Sequence, residues 1–461
     1  MPLTVLSDAD IHALLISLSK EDIERLQSNL CDAMHDYSKG SQETCAGCSG
    51  NQPKRMMIPG PNKQTTLFMP AATNTSKGVK IISLASPPNA TKTPSLASLD
   101  LNSSFDSRNS SPAPQSPSRA SSISTNASLS HTTSNTSTKS NTPYTPSSSI
   151  TSPASTNPSL TSSQSTTPRG SLTLLDSFGN PYAFLAAEEL TAFRTALGST
   201  VILTKREKVH SITVFGAGMQ ARWHIRLALL LKGPHIHHVD IINRSFARAK
   251  AIMHDFYTSD EWADIRERNP KVQFSILSSE FKDRHQHLKD HVRKADAIFL
   301  TTPSTEPLFP AEILTHAEGR KKGRYIAAIG SYRSHMVELH PDILQQAVAV
   351  DHKHHHHRHA DEGRVIIVDS LEECLKGAGE VVQAGITPKQ LVEVGELMMV
   401  KKASMREIEM GGEGEKGLKN WLIKGNVIYK SVGLGLMDIC VGEDVVGIAR
   451  ERGLGTHIEG F

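Results

Sequence analysis

The chain has 461 residues, a formal net charge of +3 and 38% hydrophobic residues. That length allows two or three domains, and a charge so near balance removes the electrostatic case for nucleic acid or an acidic membrane surface as partner. Five scattered cysteines, no run of about 18 apolar residues and no cationic, apolar start predict a cytoplasmic protein without a membrane span.

Taken in chain order, Ser7 is placed to cap a helix whose face carries Ile11, Leu14, Leu15 and Leu18. Ser19 and Asp22 have capping-box spacing ahead of a second helix carrying Ile23, Leu26, Leu30, Ala33 and Met34. "GVKIISLASPPN" (78–89) reads as a strand that ends at Pro87. Residues 91–168 are rich in Ser, Thr, Pro and Asn and hold almost no large apolar side chain. Such a tract cannot bury enough surface to offset the entropy of ordering, so disorder is expected there. "SLTLLD", the turn "FGNP", the strand "YAFLA" and a helix from Glu188 follow. The tract is therefore expected to be an insertion between two strands of one domain.

After residue 210, short β-branched runs alternate with helical stretches: "SITVFG", "HVDIINR", "VQFSIL", "DAIFLTT", "RYIAAIG" and "RVIIVDS". This alternation predicts a doubly wound parallel sheet, and "IYKSVGLGLMDI" adds a last strand, a glycine turn and a helix.

The first of these runs ends in "GAGMQA". In a strand–turn–helix setting, Gly216 permits a tight turn, Gly218 lets amides approach a pyrophosphate, and Ala221 allows close helix packing. Met219 and Gln220 open the helix beside the bound group. The next strand ends in Asn243, Arg244 and Ser245 rather than in an acidic residue, and Asp240 lies earlier within it. A guanidinium flanked by Asn and Ser suits a 2′-phosphate, so NADP(H) is expected, with NAD possible; Arg244 stacked on adenine or facing solvent is the alternative.

The ordered set "GVKIISL", "LTAFRTALGS", "FGAGMQARWH", "INRS", "AIGSYRSHMVEL", "VIIVDSLEECLKGAGE" and "YKSVGLGLMDI" resembles the ornithine cyclodeaminase/mu-crystallin family. The resemblance implies an α/β fold: a Rossmann-type doubly wound domain inserted into an α+β substrate and dimerisation domain. The implied division is 1–90 and 169–197 for the substrate domain, 91–168 for the disordered insertion, 198–425 for the nucleotide domain, and 426–461 for a return to the substrate domain. It also implies a homodimer acting on a small imino or amino acid.

Residue by residue, the resemblance matches Arg55, Lys80 and Arg194 to carboxylate-binding cations of the substrate site. Three cations suit a substrate carboxylate, which arginine holds in a fixed orientation. Thr195, Thr302 and Ser431 fall near the implied cofactor. Asp438 is the acidic residue the family brings in from the C-terminal segment; orienting the substrate nitrogen and capping the last helix are both open to it. After Gly330 and Ser331, where cyclodeaminases of the family carry an aspartate, this chain has Tyr332. A phenol with an ordinary pKa near 10 is a poor base at neutral pH. The expectation is therefore a ketimine reductase-like oxidoreductase, with Tyr332 as proton donor or pocket wall. An ornithine cyclodeaminase-like lyase using NAD catalytically is the alternative, and a non-catalytic NADPH-binding protein the alternative from another class.

Other motifs are expected to carry no chemistry. "CAGC" (45–48) lacks further ligands, "HKHHHHRH" (352–359) reads as an exposed loop, and no metal site is expected. Ser-Pro and Thr-Pro pairs in the insertion could accept phosphate.

Overall fold

The computed structural model describes residues 2–42, 52–60, 64–85, 169–349, 365–398 and 416–461. The 91–168 tract, the CAGC motif and the histidine run lie outside them.

The first sheet begins with β1 (Leu3–Leu6), β2 (Met56–Pro59), β3 (Gln64–Ala72) and β4 (Lys77–Ala85). After the tract come β5 (Arg169–Leu175) and β6 (Pro181–Ala186), and β15 (Thr456–Ile458) closes it. The order is β15-β1-β6-β5-β4-β3-β2. β4 and β5 are antiparallel neighbours, with Ser83 opposite Arg169, so the tract joins two adjacent strand ends. β3 alternates in burial, Leu67, Met69 and Ala71 facing in, as a half-buried strand should. Pro70, a residue without an N–H, lies beyond Phe68, where the pairing with β2 has ended.

Two helices precede β2. α1 (Asp8–Ile16) starts on Ser7, whose hydroxyl accepts from the Asp10 amide while the Asp10 carboxylate accepts from the Ser7 amide. Ser19 and Asp22 exchange the same reciprocal bonds at α2 (Lys20–Gln42). α3 (Glu188–Leu203) is buried on nearly every face. It packs against α1, α2, the C-terminal helix Gly435–Glu451 and α4 (Met219–Lys232), so even its polar Glu189, Arg194, Thr195, Ser199 and Thr200 are buried.

The second sheet is wholly parallel. It holds β7 (Ser211–Phe215), β8 (His238–Ile242), β9 (Gln273–Leu277), β10 (Ala297–Leu300) and β11 (Tyr325–Ala328). β12 (Ile366–Val368), β13 (Leu391–Glu393) and β14 (Val427–Lys430) complete the order β13-β12-β14-β11-β10-β7-β8-β9. The order reverses at β7, and the C-terminal ends of the strands beside that point are where such sheets bind ligands. β7, β10, β11 and β14 are buried throughout, so they read as continuous apolar runs.

One expected boundary moves. β14 lies inside the nucleotide sheet between β11 and β12, so the chain returns to the first sheet after Lys430 rather than at residue 426. Among the described residues no helix is long and apolar enough to cross a membrane.

Candidate active site

Strand alternation puts Lys80, Ile82 and Leu84 on one face of β4, and the register sets Met69 opposite Lys80 and Leu67 opposite Ile82. α3 contributes Thr191, Arg194 and Thr195, and the start of α4 contributes Gly218, Met219 and Gln220. The ends of β10, β11 and β14 bring Thr301 and Pro303, Gly330 and Tyr332, and Ser431 to Gly433. Together they line a cleft of about 220 Å³.

Lys80 and Arg194 form its floor, and Asp438 lies against them from behind. Lys80 Nζ lies 2.8 Å and Arg194 Nε 2.9 Å from the same oxygen, Asp438 Oδ1. All three side chains are buried, and Asp438 Oδ2 has no hydrogen-bond partner. Burial pushes the Lys80 ammonium down to about 8; Asp438 pulls it up and Arg194 pushes it further down. Asp438 also lies in the first turn of the C-terminal helix, where the helix dipole favours a carboxylate. Gly433, with φ at +81°, lies against Arg194, and a Cβ there would sit 2.8 Å from Nη2.

Arg55 reaches the rim. Its Nη2 lies 2.6 Å from Glu373 Oε2 and donates to the Gly433 carbonyl at 3.3 Å. Tyr332 is half-buried and packs on Leu67, Met69, Ile82, Leu84 and Ala187, an apolar patch beside the cations. Burial raises its phenol further, and Arg333 lies 5.7 Å from its ring centroid. Glu188 also lines the cleft, its carboxyl raised by burial.

The opposite side is formed by the glycine turn. Gly216 has φ at +113°, and a Cβ there would meet Thr301 Oγ1 at 2.6 Å, so only glycine fits this turn. A Cβ on Gly218 would meet nothing within 4 Å: packing leaves that glycine facing open space. Ala221 is fully buried. The Gln220 amide donates to the Thr191 carbonyl, while its Oε1 is buried without a partner beside the cleft. Open space at a helix start and an orphaned acceptor fit a phosphate-bearing, hydroxyl-bearing ligand.

At the end of β8, Asn243 donates to the Ser245 carbonyl, Ser245 caps α5 (Phe246–Thr258), and Arg244 is exposed. Asp240 is held by Ser275 and by His291 at 2.9 Å, which takes its carboxylate out of play for a ribose. Thr195 lines the cleft, with its hydroxyl on the Thr191 carbonyl. Ser431 lines it too, with its hydroxyl on Asp369 at 2.7 Å. Thr302 lies behind the wall, its amide and hydroxyl both held by Glu338.

Sequence reasoning missed Asp369, Glu338, Glu380 and Lys430, all buried around the loops that carry the cleft. Asp369 accepts from the amides of Val432 and Gly433 and so sets the glycine against Arg194. One signal was readable: each is a lone charge within or at the end of an apolar run, as in "MVEL" and "VIYK".

The sequence model of the ornithine cyclodeaminase/mu-crystallin family matches residues 155–446, which include Arg194, the glycine turn, Tyr332 and Asp438. A Δ1-pyrroline-2-carboxylate reductase of Bacillus cereus is 28% identical over 298 residues, 62% of this chain and 74% of that protein. The solved Δ1-pyrroline-2-carboxylate reductase of Thermococcus litoralis, in complex with NADH and L-proline, superposes with a TM-score of 0.59 at 16% identity, covering 99% of this chain and all of that one. A probable ornithine cyclodeaminase from Bordetella pertussis gives 0.55 at 18%, covering 98% and 99%. The structural likenesses show the fold: a Rossmann-type parallel sheet joined to a second, mixed sheet. The chain belongs to the ornithine cyclodeaminase/mu-crystallin family.

Proposed function

We propose that the protein is a nicotinamide-dependent oxidoreductase that reduces the C=N bond of a cyclic imino acid. One observation carries this: two buried cations share one carboxylate oxygen across a narrow cleft from an open glycine turn. When bound, the reduced dinucleotide supplies the hydride. The protein's residues do the rest. Arg194 and Lys80 hold the substrate carboxylate and fix the ring's orientation. Asp438 Oδ2, buried and unpartnered, accepts the N–H of the protonated imine and stabilises its charge. Lys80, poised at about 8, can donate a proton to the neutral amine that hydride addition leaves, and it regains one from solvent near neutral pH. Leu67, Met69, Ile82, Leu84 and Tyr332 enclose the ring and exclude water, so Tyr332 serves as wall. Arg55 stands second to them, tied to Glu373 at the rim.

Gly216, Gly218, Met219, Gln220 and Ala221 form the dinucleotide turn, with Thr195 and Ser431 beside it. NADP(H) is the preferred cofactor, NAD the second. Arg244 at the exposed end of β8, with Asp240 held elsewhere, supports that preference. The thiols of Cys374 and Cys440, buried and in no disulfide, support a cytoplasmic setting. The sheet edge at β2, with Met56, Met57 and Ile58 exposed, supports a homodimer contact.

The free Asp438 oxygen also supports a second reading, a cyclodeaminase-like lyase in which it replaces the missing aspartate. Incubation with NADPH and a panel of cyclic imino acids, with ornithine plus NAD as control, separates the two. Net NADPH consumption is expected. Ammonia and proline from ornithine without net cofactor change would overturn the reductase reading.

A further inference from the structure

Behind the cleft wall formed by the ends of β10, β11 and β14 lies a buried charged cluster. Glu338 joins two of these ends. Its Oε1 accepts from the Thr302 amide at 2.6 Å and hydroxyl at 3.0 Å, and its Oε2 accepts from the Gly330 amide at 2.6 Å. The strand ends nearly touch there: a Cβ on Gly330 would lie 2.0 Å from the Thr302 carbonyl oxygen. Lys430, at the end of β14, donates to Ser331 Oγ at 2.6 Å and to the Ala328 carbonyl at 3.2 Å. Its Nζ is 3.2 Å from Glu380 Oε1, and the Ser331 hydroxyl donates to Glu380. Asp369, directly after β12, adds a buried carboxylate bonded to the Val432 and Gly433 amides beyond β14.

The wall thus holds three buried carboxylates against one ammonium, whereas the floor holds Lys80 and Arg194 against Asp438. One side of the cleft is negative in excess and the other positive. We propose that the wall, with Glu338 as its positioning residue, selects the charge state of the cofactor ring, favouring the positively charged oxidised form over the neutral reduced form. This rests on the reductase reading above. In that reaction the electron pair of the ring's C–H bond forms the new C–H bond at the imine carbon. The nitrogen keeps its proton, and the positive charge passes from the imine to the ring. A wall that favours that charge lowers the barrier to hydride donation.

Glu338 also makes the wall adjustable. Burial pushes its carboxyl up to about 7; Lys430 pulls it down and Glu380 adds to the rise. These are the charged groups that act on it most, since the ends of β10 and β11 offer it only amides and a hydroxyl. The excess negative charge therefore grows as pH rises through about 7.

The test is equilibrium binding of NADP+ and NADPH without substrate, by calorimetry, from pH 6 to 8.5. In the wild type the affinity ratio of oxidised to reduced cofactor rises roughly three- to tenfold across that range, the size expected of one partly screened interior charge. In Glu338→Gln the rise shrinks to the part that Lys80 supplies, while Glu338→Asp keeps it whole. The 2′-phosphate titrates alike in both cofactor forms and cancels in the ratio. Lys80, titrating near 8 across the cleft, acts alike in all three proteins. A merely structural Glu338 would lower both affinities together and leave the ratio alone. A flat wild-type ratio, or the same rise in Glu338→Gln, overturns the proposal. Should Glu338→Gln not fold, Glu380→Gln replaces it: the ratio at pH 8 must fall, and an unchanged ratio overturns the proposal. Failure of either cofactor to bind would refute the dinucleotide reading itself and this proposal with it.

Discussion

Replacing Asp438 by Asn removes the one anion shared by Lys80 and Arg194 while keeping the side chain's shape. Lys80 already binds its proton about 3 kcal/mol less tightly than a free lysine, because burial outweighs the pull of Asp438. A hydrogen bond to a charged partner contributes about 1.5–3 kcal/mol. Losing it lowers the Lys80 pKa by about one to two further pH units, since burial and Arg194 then act unopposed. The sign follows directly. A lysine with a depressed pKa loses its charge as pH rises through that value. In the wild type, carboxylate binding should therefore weaken above about 8. In Asp438→Asn the same decline should begin about one to two units lower. At pH 7.5, kcat/KM should fall about 10²–10⁴-fold, from the neutral Lys80 and the lost acceptor for the substrate nitrogen. Partial recovery is expected near pH 6. The assay is NADPH absorbance against pH, with a thermal melt to verify folding. A basic limb still at about 8, or kcat/KM within threefold of wild type, would refute the assignment of Asp438.

Gly433→Ala should raise KM for the imino acid at least ~10-fold while affecting kcat less. It puts a methyl 2.8 Å from Arg194 Nη2 and costs about 1–2 kcal/mol for its left-handed backbone; an unchanged KM would sink the idea that this glycine sets Arg194. Gly218→Val should melt within about 2 °C of wild type, because nothing lies near its Cβ, yet bind NADPH roughly tenfold or more weakly. Wild-type affinity would remove the turn from the cofactor site. Arg244→Ala should weaken NADPH by about tenfold and leave NADH unchanged, as titrations with both would reveal. Replacing residues 87–167 by a short glycine-serine turn should leave melting temperature and kcat/KM within about twofold. The reason is that Ser83 and Arg169 are already opposite each other, and lost activity would assign that stretch a role in the site.

The elements with strong local signals were legible in the sequence. Ser7 and Ser19 announce their helices because capping chemistry is local, and "SITVFGAGMQA" announces a strand, a turn and a helix for the same reason. β1, β2, β3, β13 and β15 were not read. β2 has all four residues exposed and so carries no alternation, while β3 hides its own behind Pro70. The floor of the site was legible in its residue types but not in its geometry. Nothing local says that Lys80 and Arg194 meet on one oxygen of a residue 244 positions beyond the arginine. The wall was legible only as lone charges beside apolar runs: Glu338 lies on a loop, Glu380 on a short helix and Lys430 on a strand end, and they meet only in the folded protein.

The position of β14 bears on how the enzyme is made. It is the last strand of the parallel sheet in chain order, yet it pairs with β11 on one side and β12 on the other. A nascent chain that has emerged only as far as residue 426 must hold those two strand edges open, each buried and apolar in the finished protein. Open apolar edges are templates for mispairing between chains. Lys430 and Asp438 follow immediately, so the charged wall and the floor are completed by the same short stretch. Assembly of the sheet and onset of activity should then coincide. A late strand set between earlier ones therefore predicts a synthesis that chaperones would assist.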